Sequence, residues 1–232
     1  MKNILLYVCF VASLTGCATQ GVTTVNRIPP KVASLTYEQK FEQPQGVVWD
    51  RLVKNMAKSF FVINNIDKDS RIINISYSSD KPQEYVDCGR STRTYNDGKT
   101  TESYEYGVTD SLVTYKAASN TQPDPRFSSV GLILRRATVD GRANVYVAPE
   151  SNGTLISVNA KSVVKITLSG EVLVQNFAGQ VLRRQAIPPV SADVTAVTKG
   201  STESTMAVGT TVERVTCYST GKLEKEILDL AI

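Results

Sequence analysis

The carboxyl-terminal half of the chain is dominated by alternating apolar and polar residues, the pattern of half-buried β-strands. The alternation is clearest at Ile156, Val158, Ala160, Val164, Ile166 and Leu168. Asp140-Gly141 predicts a hairpin between strands at Val130–Thr138 and Arg142–Ala148, and Ala178-Gly179 predicts another turn further on. Pro188-Pro189 is expected to end the run, because proline donates no hydrogen bond to a sheet. This half therefore predicts an antiparallel sheet.

Two segments show helical periodicity instead. Between residues 45 and 60 the apolar side chains, Trp49 among them, fall on one face at helical spacing, and residues 221–231 repeat the pattern over a shorter length. Two strand-like segments lie within residues 61–77. This order predicts an α+β fold with a curved, mainly antiparallel sheet, one amphipathic helix near the amino end and a short carboxyl-terminal helix. We expect residues 34–232 to form a single periplasmic domain.

The amino end has the parts of a secretory signal. Lys2 supplies the charged start, and an apolar run from Ile4 to Leu14 follows it. This run is too short to span a bilayer, which needs about 20 apolar residues. No later segment of the sequence approaches that length. Residues 1–16 are therefore predicted to be a signal peptide that is removed on export.

The residues that close this run, Leu14-Thr15-Gly16-Cys17, resemble the lipobox of bacterial lipoproteins. The resemblance implies that Cys17 becomes the first residue of the mature chain and carries a diacylglycerol thioether and an N-acyl chain such as palmitate. Ala18, rather than an aspartate, follows it, which by the same resemblance implies the periplasmic face of the outer membrane. Residues 17–33 contain Pro29-Pro30 and little periodicity, and are expected to be the lipidated cysteine and a flexible tether.

Composition excludes several classes of chemistry. The chain has no histidine, which excludes histidine-dependent triads, histidine-ligated zinc and the usual near-neutral general base. The net charge of +4 includes Lys2 of the signal and forms no basic run, so we expect no nucleic-acid partner. Gly89-Arg90-Ser91-Thr92 is interpreted as a turn rather than an anion site. The grouped acidic residues are interpreted as solvated loop groups: Asp67, Asp69, Asp80, Glu84 and Asp87. We expect no catalytic residue, metal site or cofactor.

Two cysteines remain in the soluble part of the mature chain. Cys9 leaves with the signal and Cys17 carries lipid, so Cys88 and Cys217 are left. In an oxidising periplasm they are expected to form one disulfide, with two reduced, buried thiols or a metal-binding pair as the alternatives. Such a bridge closes a loop of about 130 residues and stabilises the fold by ~4–5 kcal/mol in the chain-entropy description.

Tyrosine is concentrated in one part of the chain. Six of the ten tyrosines lie between residues 77 and 115, and Asn96-Asp97-Gly98 predicts a hairpin among them. Tyr95, Tyr104 and Tyr106 are expected on one face of this hairpin. Such a face suits binding of a protein partner, because tyrosine combines large contact area with low ordering entropy. The alternative is that the same face packs onto the rest of the domain.

Residues 35–77, with Val48-Trp49-Asp50 on the predicted helix, resemble the helix-grip domain of the BamC family of outer-membrane assembly lipoproteins. The resemblance concerns the fold alone and implies a helix-grip-like arrangement. We predict a non-enzymatic envelope lipoprotein that binds or scaffolds another envelope protein in an outer-membrane assembly or secretion complex. The alternative is a periplasmic carrier or sensor of a lipid or small apolar ligand, bound in a pocket lined by Trp49, Phe60 and Ile73.

Overall fold

A long hairpin forms the spine of the molecule. The computed structural model describes residues 21–119, 124, 126–176, 178–208 and 211–232. Within them, strand β9 (Ser128–Glu150) and strand β10 (Gly153–Gln175) pair antiparallel along their whole length. Each has 23 residues, so each extends over roughly 75 Å. The alternation seen in the sequence therefore belongs to two very long strands.

The hairpin predicted at Asp140-Gly141 is wrong. Asp140 lies inside β9 and pairs with Ser78 on one side and Val163 on the other. Gly141 serves a different purpose, because a Cβ atom there would lie only 2.1 Å from the ring of Tyr77. The glycine allows close approach of an aromatic ring to the strand rather than a reversal of the chain.

Five further strands complete the main sheet, and every pairing in it is antiparallel. They are β2 (Glu38–Phe41), β3 (Val62–Asp67), β4 (Ile72–Ser79), β8 (Leu112–Ala118) and β11 (Val181–Val197). β4 and β8 follow one another along the outer side of β9, and β3 pairs with β4. β2 and β11 pair with β10. This sheet and two helices confirm the predicted α+β class with mainly antiparallel strands.

The prediction that Pro188-Pro189 ends the strand run is also wrong. β11 continues through both prolines, and its register shifts where Leu168 pairs with Val190 but Gly170 pairs with Ile187. The prolines thus lie at an irregularity of a strand at the sheet edge. A missing N–H group is tolerated at such a position, because no neighbouring strand needs it.

Two three-stranded sheets flank the main sheet. One contains β1 (Val22–Ile28), β6 (Arg90–Asn96) and β7 (Thr101–Gly107), and we call it the β1 sheet. The other contains β5 (Val86–Asp87), β12 (Thr202–Val208) and β13 (Thr211–Ser219). The flexible tether predicted for residues 17–33 is therefore wrong for residues 22–28, which pair with β6 along their whole length. The partner strand is distant in sequence, so local periodicity gave no sign of the pairing.

The main core lies beneath two helices, α1 (Gln45–Met56) and α2 (Lys222–Asp229). α1 buries Val48, Trp49, Leu52 and Met56, and α2 buries Leu223, Ile227 and Leu228. These side chains join one cluster with the inward-facing residues of β4, β9 and β10. The helices also contact one another, since Asn55 Nδ2 donates to the carbonyl of Leu230 at 2.8 Å.

The predicted disulfide is confirmed. Cys88 and Cys217 are bonded, with their Cα atoms 4.2 Å apart, and both are buried in the main core. The bridge lies beside the pairing of Asp87 with Tyr218. Glu224 of α2 is also buried there, and its carboxylate accepts hydrogen bonds from the Thr198 and Ser219 hydroxyls. The carboxyl-terminal helix is thus held by a covalent bond beside it and by a buried polar network.

Candidate functional site

The tyrosine hairpin has the predicted strands but not an exposed tyrosine face. β6 and β7 pair around Asn96-Asp97-Gly98, which confirms the hairpin. Tyr95 and Tyr106 are buried, and Tyr104 is half-buried with its hydroxyl donating to Glu102. The partner-binding assignment of Tyr95, Tyr104 and Tyr106 is therefore corrected. These rings pack onto the domain, which was the alternative, so the argument for docking at this hairpin is lost.

Tyr106 and Tyr115, which are both buried, belong to a stack of tyrosines and arginines. The rings of Tyr106 and Tyr115 are almost parallel, with centroids 5.8 Å apart. The Arg93 guanidinium lies 4.8 Å from the Tyr115 ring, and the Arg135 guanidinium lies 5.6 Å from the Tyr106 ring. Arg93 Nε also donates to the Tyr106 hydroxyl at 2.8 Å. Each cation–π contact of this kind contributes about 0.5–2 kcal/mol, more when it is desolvated.

Arg135 is the least expected member, because only 4% of it is exposed. Its guanidinium donates to the carbonyl oxygens of Val108 and Asp110. Burial lowers the pKa of Arg135, and the nearby positive charge of Arg27 lowers it further, while Tyr106, Tyr115 and Asp110 act in the opposite direction. The sequence concealed this residue, since it occupies an ordinary position within a strand. Its contacts indicate that it ties β9 to the turn that follows β7.

The most exposed part of the sheet is the first half of β11. Val181, Leu182 and Val190 are exposed apolar side chains, and Leu182 is 56% exposed. From residue 181 to residue 186 every side chain is exposed, whichever face of the strand it occupies. One edge of this segment pairs with β10, and within the described residues no strand pairs with its other edge. Unpaired N–H and C=O groups thus lie next to exposed apolar side chains.

A cleft exists near Phe60 but not where the ligand-carrier alternative required it. Trp49 and Ile73 are buried within the main core and do not line this cleft. Phe60 is 54% exposed and lines a cleft of about 620 Å³. Its other walls include Val62, Val163 and the charged residues Asp140, Arg142 and Lys161. Of the three predicted pocket residues, Phe60 alone lines this cleft.

Three of the grouped acidic residues, and Arg90 of the glycine–arginine segment, have structural partners. Hydrogen bonds from the Ser70 hydroxyl and amide lower the pKa of Asp67, Asp87 accepts the Gly89 amide at 2.8 Å, and Glu84 pairs with Lys222. Arg90 pairs with Glu105 at 2.9 Å. No group of three metal-ligating side chains occurs among the described residues.

Comparisons of the chain with models of known protein families, with curated proteins and with solved structures found no match. Neither helix in the described part of the chain is long and apolar enough to cross a membrane. Cys17 and the signal peptide lie outside the described residues.

Proposed function

We propose that this protein is a non-enzymatic lipoprotein of the Gram-negative envelope, anchored through acylated Cys17 to the periplasmic face of the outer membrane. Its role is to bind another envelope protein in an outer-membrane assembly or secretion complex. The lipobox-like sequence Leu14-Thr15-Gly16-Cys17 supports the anchor. Cys17→Ser is expected to abolish acylation, so persistent acyl labelling of that variant would contradict it. In sucrose gradients the acylated protein should sediment with the outer membrane.

The exposed half of β11 supports the binding role. In the described part of the chain no strand pairs with the outer edge of residues 181–187, an edge of seven residues, and a typical strand has about 5–6. A partner strand would pair with this edge through main-chain hydrogen bonds and would cover the exposed side chains of Val181 and Leu182. Pro188-Pro189 limits the accessible edge on one side. Arg183 opposes uncontrolled pairing, because charge on an edge strand disfavours aggregation.

Site-specific crosslinking in the native envelope tests this role. A photoreactive residue at Leu182 should capture one defined partner. The same residue at Val62 is the matched control, because Val62 is 59% exposed and lies on β3, at the opposite edge of the same sheet. Leu182→Asp should then reduce recovery of the partner without lowering the melting temperature, and Val62→Asp should change neither. Equal crosslinking from both positions would contradict a specific edge.

The α1–β3–β4 segment supports the helix-grip-like part of the proposal. α1 lies near the amino end and buries Trp49 against the sheet, and the β3–β4 hairpin follows it directly. This order of elements is compatible with a helix gripped by a curved sheet. An experimental structure in which the sheet does not curve around α1 would remove this description while leaving the binding role intact.

A carrier of a small apolar ligand is the second candidate function. The observation that favours it is the 620 Å³ cleft, whose volume lies within the range of about 300–1,000 Å³ for ligand sites. An apolar ligand would contact Phe60, Val62 and Val163. Mass spectrometry of lipid extracts from the purified protein, compared with extracts from Phe60→Ser, tests it. Equal lipid content in the two samples would exclude this cleft as the carrier site.

A further inference from the structure

We infer that β1 lies flat on the lipid surface to which Cys17 is anchored, so that the β1 sheet docks on the membrane in a fixed orientation. This inference rests on the proposed lipid anchor. The surface that covers the β1 sheet is the headgroup layer of the bilayer.

The first argument is the length of chain between the anchor and the fold. Five peptide steps separate Cys17 from Val22, where β1 begins, so the two Cα atoms lie within about 18 Å of one another. β1 is itself fixed, since all seven of its residues pair with β6 and its Thr23 hydroxyl accepts the Ala118 amide at 2.7 Å. Gly21 lies directly against the Tyr95 ring, because a Cβ atom at residue 21 would be only 2.5 Å from that ring. The anchor therefore restrains a sheet rather than a free tether.

The second argument is the chemistry of this segment. Val22 is 61% exposed and Ile28 is 49% exposed, and Val25 and Val32 are exposed as well. Val22 and Ile28 share the face of β1 that also carries Thr24, because alternate residues of a strand point the same way. Lys31, just beyond β1, is an exposed cation, and Glu105, which the strand pairing places on this face of the sheet, is paired with Arg90 at 2.9 Å. Exposed aliphatic side chains next to an exposed cation suit an anionic lipid surface.

The depth of insertion follows from hydrogen bonding. β1 is at the edge of its sheet, and within the described residues its outer edge has no strand partner. Backbone groups without partners are too costly to place in hydrocarbon, but water and lipid headgroups satisfy them. β1 therefore lies at headgroup level, with Val22 and Ile28 directed toward the acyl chains.

Tryptophan quenching by lipids with brominated acyl chains tests this placement. The full lipidated protein, carrying Thr24→Trp, is reconstituted in phosphatidylcholine–phosphatidylglycerol vesicles. Thr138→Trp is the matched control, because Thr138 is also an exposed threonine, but on the β9 spine. We expect strong quenching at position 24 and little at position 138. Native Trp49, buried in the main core, contributes a constant unquenched signal to both.

Further variants separate the possible outcomes. Adding Val22→Ser and Ile28→Ser to Thr24→Trp should remove most of the quenching, while the lipid still floats the protein with the vesicles. Equal quenching at positions 24 and 138 would overturn the inference, although flotation would still support the lipid anchor. Loss of flotation and acyl labelling in the parent protein would instead overturn the anchor itself. A blue shift at position 24 without quenching would indicate a protein surface over β1, such as a second copy, and would also overturn the inference.

Discussion

The two ends of the β9–β10 spine are covered in different ways. Around residues 139–166 the spine packs beneath two helices, and the buried side chains there are almost all aliphatic. Around residues 128–135 and 168–175 it packs near the β1 sheet, in a small cluster built on Tyr95, Val130 and Leu173. The first end also contains the disulfide, whereas the second is joined by stacked tyrosines and arginines.

This difference indicates a difference in local stability. Aliphatic burial contributes about 25 cal/mol for each Å² removed from water, so a large cluster gains more than a small one. The tyrosine–arginine contacts add specific geometry, but each contributes only about 0.5–2 kcal/mol. We therefore expect the β1 sheet to open at a lower free energy than the helix-covered core. The end that is next to the proposed lipid anchor is then also the more easily deformed one.

The largest expected effect comes from the disulfide. Reduction of Cys88–Cys217 should lower the free energy of unfolding by about 4–5 kcal/mol, because a long loop is released in the unfolded chain. Guanidinium titration of oxidised and reduced wild-type protein measures the change without a new side chain. Superimposable curves would contradict it, and would mean that the aliphatic core alone sets the stability of the helix-covered end.

A matched pair of leucine substitutions compares the two ends directly. Leu52→Ala, in the main core, should cost about 2–5 kcal/mol, and Leu173→Ala should fall at or below the lower limit of that range. Leu52 is fully buried, whereas Leu173 belongs to the small cluster. Urea denaturation gives both values. Hydrogen exchange should show faster opening of β6 and β7 in Leu173→Ala alone; a Leu173→Ala cost equal to that of Leu52→Ala would remove the proposed difference.

The sequence predicted the elements of the fold better than their ends. The helical periodicity around Trp49 and the hairpins at 61–77 and 90–107 are local patterns, and the structure contains all of them. Asp140-Gly141 misled the prediction because a turn and a close aromatic contact both favour glycine. β1 was missed because a threonine-rich edge strand has little alternation and its partner β6 is far away in sequence.

Site residues were harder to predict for a related reason. Tyrosine composition indicated that the hairpin at Tyr104 and Tyr106 was unusual, but composition does not tell which way a strand faces. That orientation depends on β8 and β9, which supply Tyr115 and Arg135. The exposed half of β11 was likewise hidden, because Val181 and Leu182 look like core residues until the sheet is assembled.

A smaller effect is expected within the tyrosine–arginine stack. Tyr106→Phe keeps the ring stacked on Tyr115 but removes the acceptor for Arg93 Nε. Because the donor is charged and partly exposed, the cost should be about 1.5 kcal/mol. Chemical denaturation measures it, with Tyr104→Phe as the control at a half-buried ring. An unchanged denaturation midpoint in Tyr106→Phe would mean that ring stacking alone holds this end together.

The smallest effect concerns pH and compares one buried phenol from each end. Burial raises the pKa of Tyr77 far above its ordinary value, although the bond of 2.7 Å to the Ser162 hydroxyl acts in the opposite direction. Burial also raises the pKa of Tyr95, with a further contribution from Asp97. Because the pKa of each phenol is raised in the folded state, its contribution to the free energy of unfolding is complete below about pH 10. That contribution is lost as the pH rises toward the pKa of the folded state.

At neutral pH, Tyr77→Phe should cost about 0.5–1.5 kcal/mol, because one buried hydrogen bond is lost. Above about pH 10 the wild-type stability should fall more steeply than that of Tyr77→Phe, so the two curves converge, since the variant has no phenol to ionise there. Tyr95→Phe should reduce the slope less, because its ring belongs to the smaller cluster. Thermal melts at several pH values between 8 and 11 give all three curves. Parallel curves for wild type and Tyr77→Phe would mean that the helix-covered end admits water to this phenol before it unfolds.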